Sequence, residues 1–507
     1  VDAICINQAD PREKASQVLK MRDIYAKARQ VIVWLGDDDE SDEEAFDFLN
    51  WLATSFNQNK EDQFGRRRQW LQIHRENTLQ IEHTIALLQR PWFTRTWVVQ
   101  EVASAQKAIL VNGHKTISWE DFWTATSRLW DPLFEHSVPL EIFRAQRNIW
   151  AIESAKRSVN GMSVLSLHKL LLATHSNDCS DARDKVFAIL GLATDWLEKG
   201  GLDPDYRPTT TAEEVFRRYA MWDVKNNRSL RILSFAGGRP ETPQMPSWAP
   251  DWRIIDGEDL LAGNKTKTKF SASEDRDPDA WFSDHGRVLN AVGQVVDTIK
   301  SKGPQPRFSI LRKMFAMTNE GIEEVKNSQK WLQECLKLAV GSNEELTAER
   351  YAEFWRTLNC GLTHDGFPAP AERGAYVKKY LDFLNNEVSD FISTTERKSA
   401  DRWFSAALSL IDNHPEAEIH ALVESDLWRW AAARLLCTTE KGRLASVPKT
   451  TQEGDLICIL YGGDVPYILR PLTDDEYMVV GECYVDDIMH GKALTQGTMH
   501  ERQFKLV

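Results

Sequence analysis

The side chains best suited to chemistry cluster in one stretch, Arg90-Pro-Trp-Phe-Thr-Arg-Thr-Trp-Val-Val-Gln-Glu101. Arg90, Trp92, Arg95 and Trp97 alternate cations with aromatics. Such a pattern can clamp a phosphate in guanidinium forks or stack an adenine on an indole. It can equally form an Arg–Trp stack that holds a helix to a sheet. Trp97 and Glu101 are four apart, which puts them on one helix face, one turn from each other. Glu101 therefore has two readings: an acid facing a ligand, or a partner for Arg90 or Arg95 that ties the helix down.

Other candidates lie at the ends of expected strands. Asp2 begins and Asn7 and Gln8 follow the apolar run Val1–Ile6, and Trp34 and Gly36 close the run Val31–Leu35. Ligands in open α/β sheets bind beyond the C-terminal strand ends. Asn7 and Gln8 could there hydrogen-bond a nucleotide or ribose, and turn formation before Pro11 explains them equally well. Trp34 serves either as packing or as the edge of a site. Cys5, inside the first run, is expected as a small core residue. Arg183, Asp184 and Lys185 read as a capped, ion-paired helix start. His83, His114, His168, His175 and His490 show no metal-ligand spacing, and no metal is expected.

Positioning these residues requires an α/β scaffold. Val1–Ile6, Val31–Leu35 and Ala108–Asn112 are short apolar runs that read as buried strands. Asp10 before Pro11 is a helix start, and Val18, Met21, Tyr25 and Ala28 give that helix one apolar face. The acidic run Asp37–Glu44 reads as a solvated loop and helix N-terminus. Residues 80–105 read as two helical pieces broken at Pro91, and Trp119 opens a helix after the Ser118 cap. Alternating strands and helices argue for a parallel sheet with helices on both faces. The chain opens on Val1 in what reads as a strand already under way, so an upstream segment is expected to be missing.

The expected organisation is an α/β domain over 1–125 lacking its first strand, a mainly helical region over 126–434, and a small antiparallel β module over 435–507. The helical region carries an irregular Pro- and Trp-rich insert near 236–310. In the last module, short strands around 456–461, 467–470 and 477–485 are separated by Gly-Gly, Pro and Asp-Asp turns.

With 507 residues, two or three domains are expected. A net charge of −13 argues against nucleic acid as a partner. Seven scattered cysteines without C-x-x-C spacing argue against a zinc site or disulfide framework and for a reducing, cytoplasmic setting. No run of about 18 apolar residues suggests a membrane span. The 19 tryptophans are expected mostly as packing. There is no Gly-x-Gly-x-x-Gly, no P-loop, no Gly-x-Ser-x-Gly and no His-Glu-x-x-His, so the corresponding enzyme classes are unsupported.

Three blocks, taken in order, resemble the fungal heterokaryon-incompatibility (HET) family. The first runs from Asp2-Ala-Ile-Cys-Ile-Asn-Gln8 to Val31-Ile-Val-Trp-Leu-Gly36. The second is Arg90 to Glu101. The third is Asp184-Lys-Val-Phe-Ala-Ile-Leu-Gly-Leu192, followed by Pro204-Asp-Tyr206 and Trp248-Ala-Pro-Asp-Trp252. Gly481-Glu-Cys-Tyr-Val485 and Ile488-Met-His-Gly491 also look like the tail common in these proteins. The resemblance implies a TIR-like, flavodoxin-like core whose usual opening strand, ending in a Ser-Tyr-x-Trp-Gly-like motif, is absent here. It also implies a role in self/non-self recognition and regulated cell death.

Trp97-x-x-x-Glu101 is similar to the motif of TIR domains that cleave NAD, whose Glu is catalytic. By that likeness Glu101 would be the catalytic residue, with Asp2, Asn7, Gln8, Trp34, Arg90, Arg95 and Trp97 around the substrate. Cleaving the nicotinamide–ribose bond passes through an oxocarbenium-like state that a carboxylate beside the ribose stabilises. NAD would be a substrate, with no cofactor required. The alternatives are a non-enzymatic adaptor that associates with itself or another death-signalling protein, and a repurposed protein that binds or transforms a small molecule.

Overall fold

The computed structural model describes residues 5–37, 40–55, 73, 76–129, 140–237, 245–254, 260–261, 270–274, 276–306, 319–341, 346–364, 366–379, 426–427, 429–473, 475–495 and 500–507. They form two compact units. The first comprises residues 1–219 with Trp252–Ile254, and the second the remainder.

In the first unit, helix α1 (Pro11–Lys27) starts where its sequence predicts. The Asp10 carboxylate accepts from the backbone N–H of Arg12 at 2.9 Å and of Glu13 at 3.3 Å, and Pro11 needs no such partner. Strand β1 (Val31–Trp34) buries Val31 and Val33 and exposes Ile32 and Trp34. Then follow α2 (Glu40–Ser55), α3 (Thr78–Leu88), a 3-10 turn at Pro91–Thr94 and α4 (Trp97–Ala103). Pro91 separates α3 from α4 because it has no N–H to donate and restrains the residue before it.

Strand β2 (Ala108–Asn112) runs parallel to β1, Val31 opposite Ala108 and Trp34 opposite Val111. Strand β3 (Lys115–Ser118) closes a hairpin with β2, so the described sheet is mixed, in order β1-β2-β3. Helix α5 (Trp119–Leu129) begins at a cap in which the Ser118 hydroxyl accepts from the Asp121 N–H at 3.0 Å. Helix α2 lies against α3, α5 and β3. Phe46, Leu49, Phe93, Leu110, Trp119 and Phe122 are among the fully buried side chains of the first unit. Each such apolar side chain contributes about 1.5–3 kcal/mol through burial.

The strand expected at Val1–Ile6 lies largely outside the described residues. Its described end is a correction: Cys5 is helical and exposed, not a core residue of a strand. Periodicity alone does not separate a short apolar strand from a helical turn. The unit continues past the boundary expected at 125 through α6 (Leu140–Val159), α7 (Leu167–Thr174), α8 (Asp184–Phe187) and α9 (Thr194–Lys199).

The second unit is built on a closed barrel. Strand β4 (Ala280–Ser283) pairs with the 15-residue β5 (Val288–Lys302). Helices α10 (Asn319–Val340) and α11 (Ala348–Leu358) follow, then β6 (Arg434–Thr439), β7 (Leu444–Pro448), β8 (Leu456–Leu460), β9 (Tyr467–Pro471), β10 (Glu476–Glu482) and β11 (Glu501–Leu506). The ring runs β5-β8-β9-β10-β11 and returns to β5, with β10–β11 its parallel pair. Closure leaves these five strands without a free edge.

Strand β5 arises inside the segment expected to be an irregular insert, and it is the strand that joins the ring to the β6–β7 hairpin. Within the ring Gly293 lets β8 come close: a Cβ there would sit 2.3 Å from the Ile459 carbonyl oxygen. Outside the ring, Trp331, Leu332, Phe354 and Trp355 of α10 and α11 bury against Leu436 and Leu444.

Candidate functional site

The C-terminal ends of the parallel strands β1 and β2, where an open sheet takes its ligand, are occupied by Arg90. One of its terminal nitrogens donates to the Leu35 carbonyl and the Asn112 side-chain oxygen, and the other to the Asp42 carboxylate. Asp42 keeps 7% of its side-chain exposure and Arg90 25%, so the pair is shielded from water. Gly36 turns the chain beside the guanidinium at φ +116°, a conformation L side chains rarely adopt. Asp42 corrects the view of the acidic run as wholly solvated. It lies in the first turn of α2, whose inward face also carries Ala45 and Phe46. Sequence reasoning missed it because one inward carboxylate looks like its neighbours.

Trp97 and Glu101 both lie on α4 and are both half-buried. The helix is held from beneath by Val98, Val99 and Val102, all fully buried. The Trp97 Nε1 donates to Asp184 Oδ2 at 3.0 Å, and the Tyr206 hydroxyl donates to Asp184 Oδ1. Burial pushes the Asp184 carboxyl above its ordinary range, and the Tyr206 and Trp97 hydrogen bonds offset this only in part. Lys14 of α1 lies 3.9 Å from the centre of the Tyr206 ring and 3.6 Å from Asp181. Arg183 binds Asp181 through both its Nε and a terminal nitrogen, at 2.9 and 2.8 Å. For Asp181 burial acts upward, but the Arg183 hydrogen bonds more than reverse it and hold the carboxyl low.

The helix start expected at Arg183–Lys185 is thus only partly an ion-paired cap. Arg183 pairs with Asp181, whereas Asp184 serves Trp97 and Tyr206. Lys185 is buried and donates to the carbonyls of His175, at 2.6 Å, and Asn177. The available signal was positional: Asp184 and Tyr206 both belong to the third of the blocks that carry the family resemblance.

The turn between Arg90 and Trp97 is fastened to the same segment. The Asp178 N–H donates to the Thr94 carbonyl, and the Thr96 N–H donates to the Asp178 carbonyl at 2.9 Å. Asn148 of α6 donates to the carbonyls of Phe93 and Arg95 at 2.9 and 3.2 Å. Arg95 itself is exposed.

Among the remaining candidates, Asn7 forms the turn before α1. Its side-chain oxygen accepts from the Ala9 N–H at 3.1 Å, and its own N–H donates to Glu13 at 3.0 Å. Gln8 is exposed, as is Trp34 at 54%. Asp2 lies outside the described residues. The structure therefore brings Trp97 together with Asp184 and Tyr206, and Arg90 together with the strand ends. No group of three or more metal-ligating side chains occurs among the described residues, and no described helix is long and apolar enough to cross a membrane.

Residues 1–101 match the family model for the heterokaryon incompatibility protein (HET), and residues 395–507 match that for the Het-6 beta-barrel domain. Over 97% of its length the chain is 26% identical to the heterokaryon incompatibility protein 6, OR allele, of Neurospora crassa, covering 81% of that protein. No solved structure matches the chain.

Proposed function

We propose, from the premise that this chain is a HET-domain protein, that it acts in fungal self/non-self recognition and triggers regulated cell death in the cytoplasm. The observation that carries this reading is the end-to-end similarity to a heterokaryon incompatibility protein, which runs through both the HET and the barrel regions.

We further propose that the HET domain is a TIR-like core and that its effector step is NAD cleavage at Glu101. Water adds at C1′ of the nicotinamide-bearing ribose. The C–N bond breaks, its electron pair leaves with neutral nicotinamide, and a proton is released. Glu101 would hold the ribose hydroxyls and stabilise the oxocarbenium-like charge. Its half-buried place one turn after Trp97 supports this role.

A second reading, the self-associating adaptor, is favoured by the apolar sheet face on which Ile32 and Trp34 are 62% and 54% exposed. Soluble proteins rarely leave such side chains adjacent without a partner.

One experiment separates the readings. Expression in a filamentous fungus should deplete NAD and kill the cells, and Glu101→Ala should do neither. Death unchanged by Glu101→Ala removes the enzymatic version and keeps the adaptor. Survival with both proteins removes the cell-death reading.

A further inference from the structure

We propose that Asp184 is a positioning residue: it holds the Trp97 indole in one orientation against the Glu101 face of α4. The catalytic consequence rests on the Glu101 reading above, whereas the positioning itself rests on geometry.

Helix α4 has seven residues and is already fixed by Val98, Val99 and Val102 on its buried side. The bond from Trp97 to Asp184 is therefore one tie of the helix among several. What it does fix is the plane of the indole, since the ring torsion is broad until a polar contact selects one setting. Trp97 and Glu101 stack one turn apart on the same face. That spacing puts the indole next to Glu101 along the helix face, so under the Glu101 reading a rotated ring would change the space in which a ligand is met.

The choice of acceptor supports more than packing. A backbone carbonyl could take an indole N–H at little cost, whereas a carboxylate that is 6% exposed carries a desolvation penalty. Both its oxygens are used, one by Trp97 and one by Tyr206. Tyr206, which shares this carboxyl with Trp97, is itself flanked by Lys14 from α1, at 3.9 Å from the ring centre, and by Arg183 from the turn before α8, at 5.2 Å. A buried carboxyl with both oxygens engaged occurs in tuned sites and in structural networks alike, and the variants below separate the two.

The test uses the purified full-length chain and NAD, following nicotinamide release. Asp184→Leu, which leaves no acceptor, should lower kcat about tenfold with KM nearly unchanged, because the orientation of the indole shapes the reacting geometry more than ground-state affinity. Trp97→Phe keeps a ring, loses the donor and should show the same split, which guards against an Asp184 variant that folds poorly. Tyr206→Phe leaves the Trp97 bond and should lose less. Equal kcat in Asp184→Leu, Trp97→Phe and wild type would overturn the proposal.

If the wild-type chain releases no nicotinamide, the NAD reading falls, and the positioning is judged by exchange of the Trp97 indole N–H. Exchange about tenfold faster in Asp184→Leu retains it, and unchanged exchange overturns it.

Discussion

At the scale of single residues, Arg90 shows how a candidate ligand-binding cation becomes a fastener. Its planar fork reaches one carbonyl, one amide oxygen and one carboxylate at once, which a point charge cannot do. Removing Asp42 would leave that guanidinium largely shielded and unpaired. Asp42→Ala is expected to cost about 3 kcal/mol, at the low end for a broken buried pair because Arg90 keeps some contact with water. Urea unfolding of the full chain measures it. A cost near zero would mean that Arg90 finds other partners and is available to a ligand after all.

At the scale of elements, the turns around α8 and α9 and the helix Ala212–Asn227 that follows them hold a set of carboxyls below their ordinary range. Hydrogen bonds from Arg207, ahead of the Thr210 hydroxyl, hold Asp205 low. For Glu214 burial acts upward and is overcome by Arg217 and Arg218. A carboxyl held low in the folded state adds stability above its unfolded value near 4, and that stability is lost as pH falls from there through its lower folded value. Asp184 has the opposite sign. Raised by burial, it favours the fold when protonated, and that gain is lost as pH rises through its elevated value. Asp205→Asn should therefore melt below the wild type at pH 6, and the gap should narrow as the pH is taken below about 4. A gap that stays constant across this range would show that Asp205 contributes through shape and not charge.

At the scale of the whole molecule, the HET-matched span is smaller than the compact unit that contains it. Thr94 and Thr96 bond to Asp178, Phe93 and Arg95 to Asn148, and Trp97 to Asp184. Tyr219 packs on Trp252 with ring centres 5.8 Å apart, and Arg253 pairs with Glu213 at 2.6 Å. A fragment of residues 1–125 would strip the turn before α4 of these partners and expose the apolar face of α4. It should behave as a molten state, binding hydrophobic dye without a near-ultraviolet dichroism signal. A fragment of residues 1–254 should keep that signal and melt cooperatively. Cooperative melting of the shorter piece would contradict this account. The barrel makes the same point, since the matched span begins at 395 while the ring needs β5 from Val288–Lys302.

Local interactions were legible in the sequence because their cause lies within a few residues. Pro11 after Asp10 placed the start of α1, Pro91 separated α3 from α4, Ser118 capped α5, and alternating apolar runs marked β1, β2 and the strands after 456. The family was legible for a related reason, because several short blocks in fixed order are improbable by chance. What only the tertiary structure decided was pairing over long separations. Asp42 and Arg90 are 48 positions apart, and Trp97 and Asp184 are 87 apart. The ring bond between β5 and β11 spans about two hundred residues. A carboxylate in an acidic run, or at a helix start, carries no local sign of which donor it will meet. That is settled by how the helices pack, and burial then turns a chance neighbour into an obligatory partner.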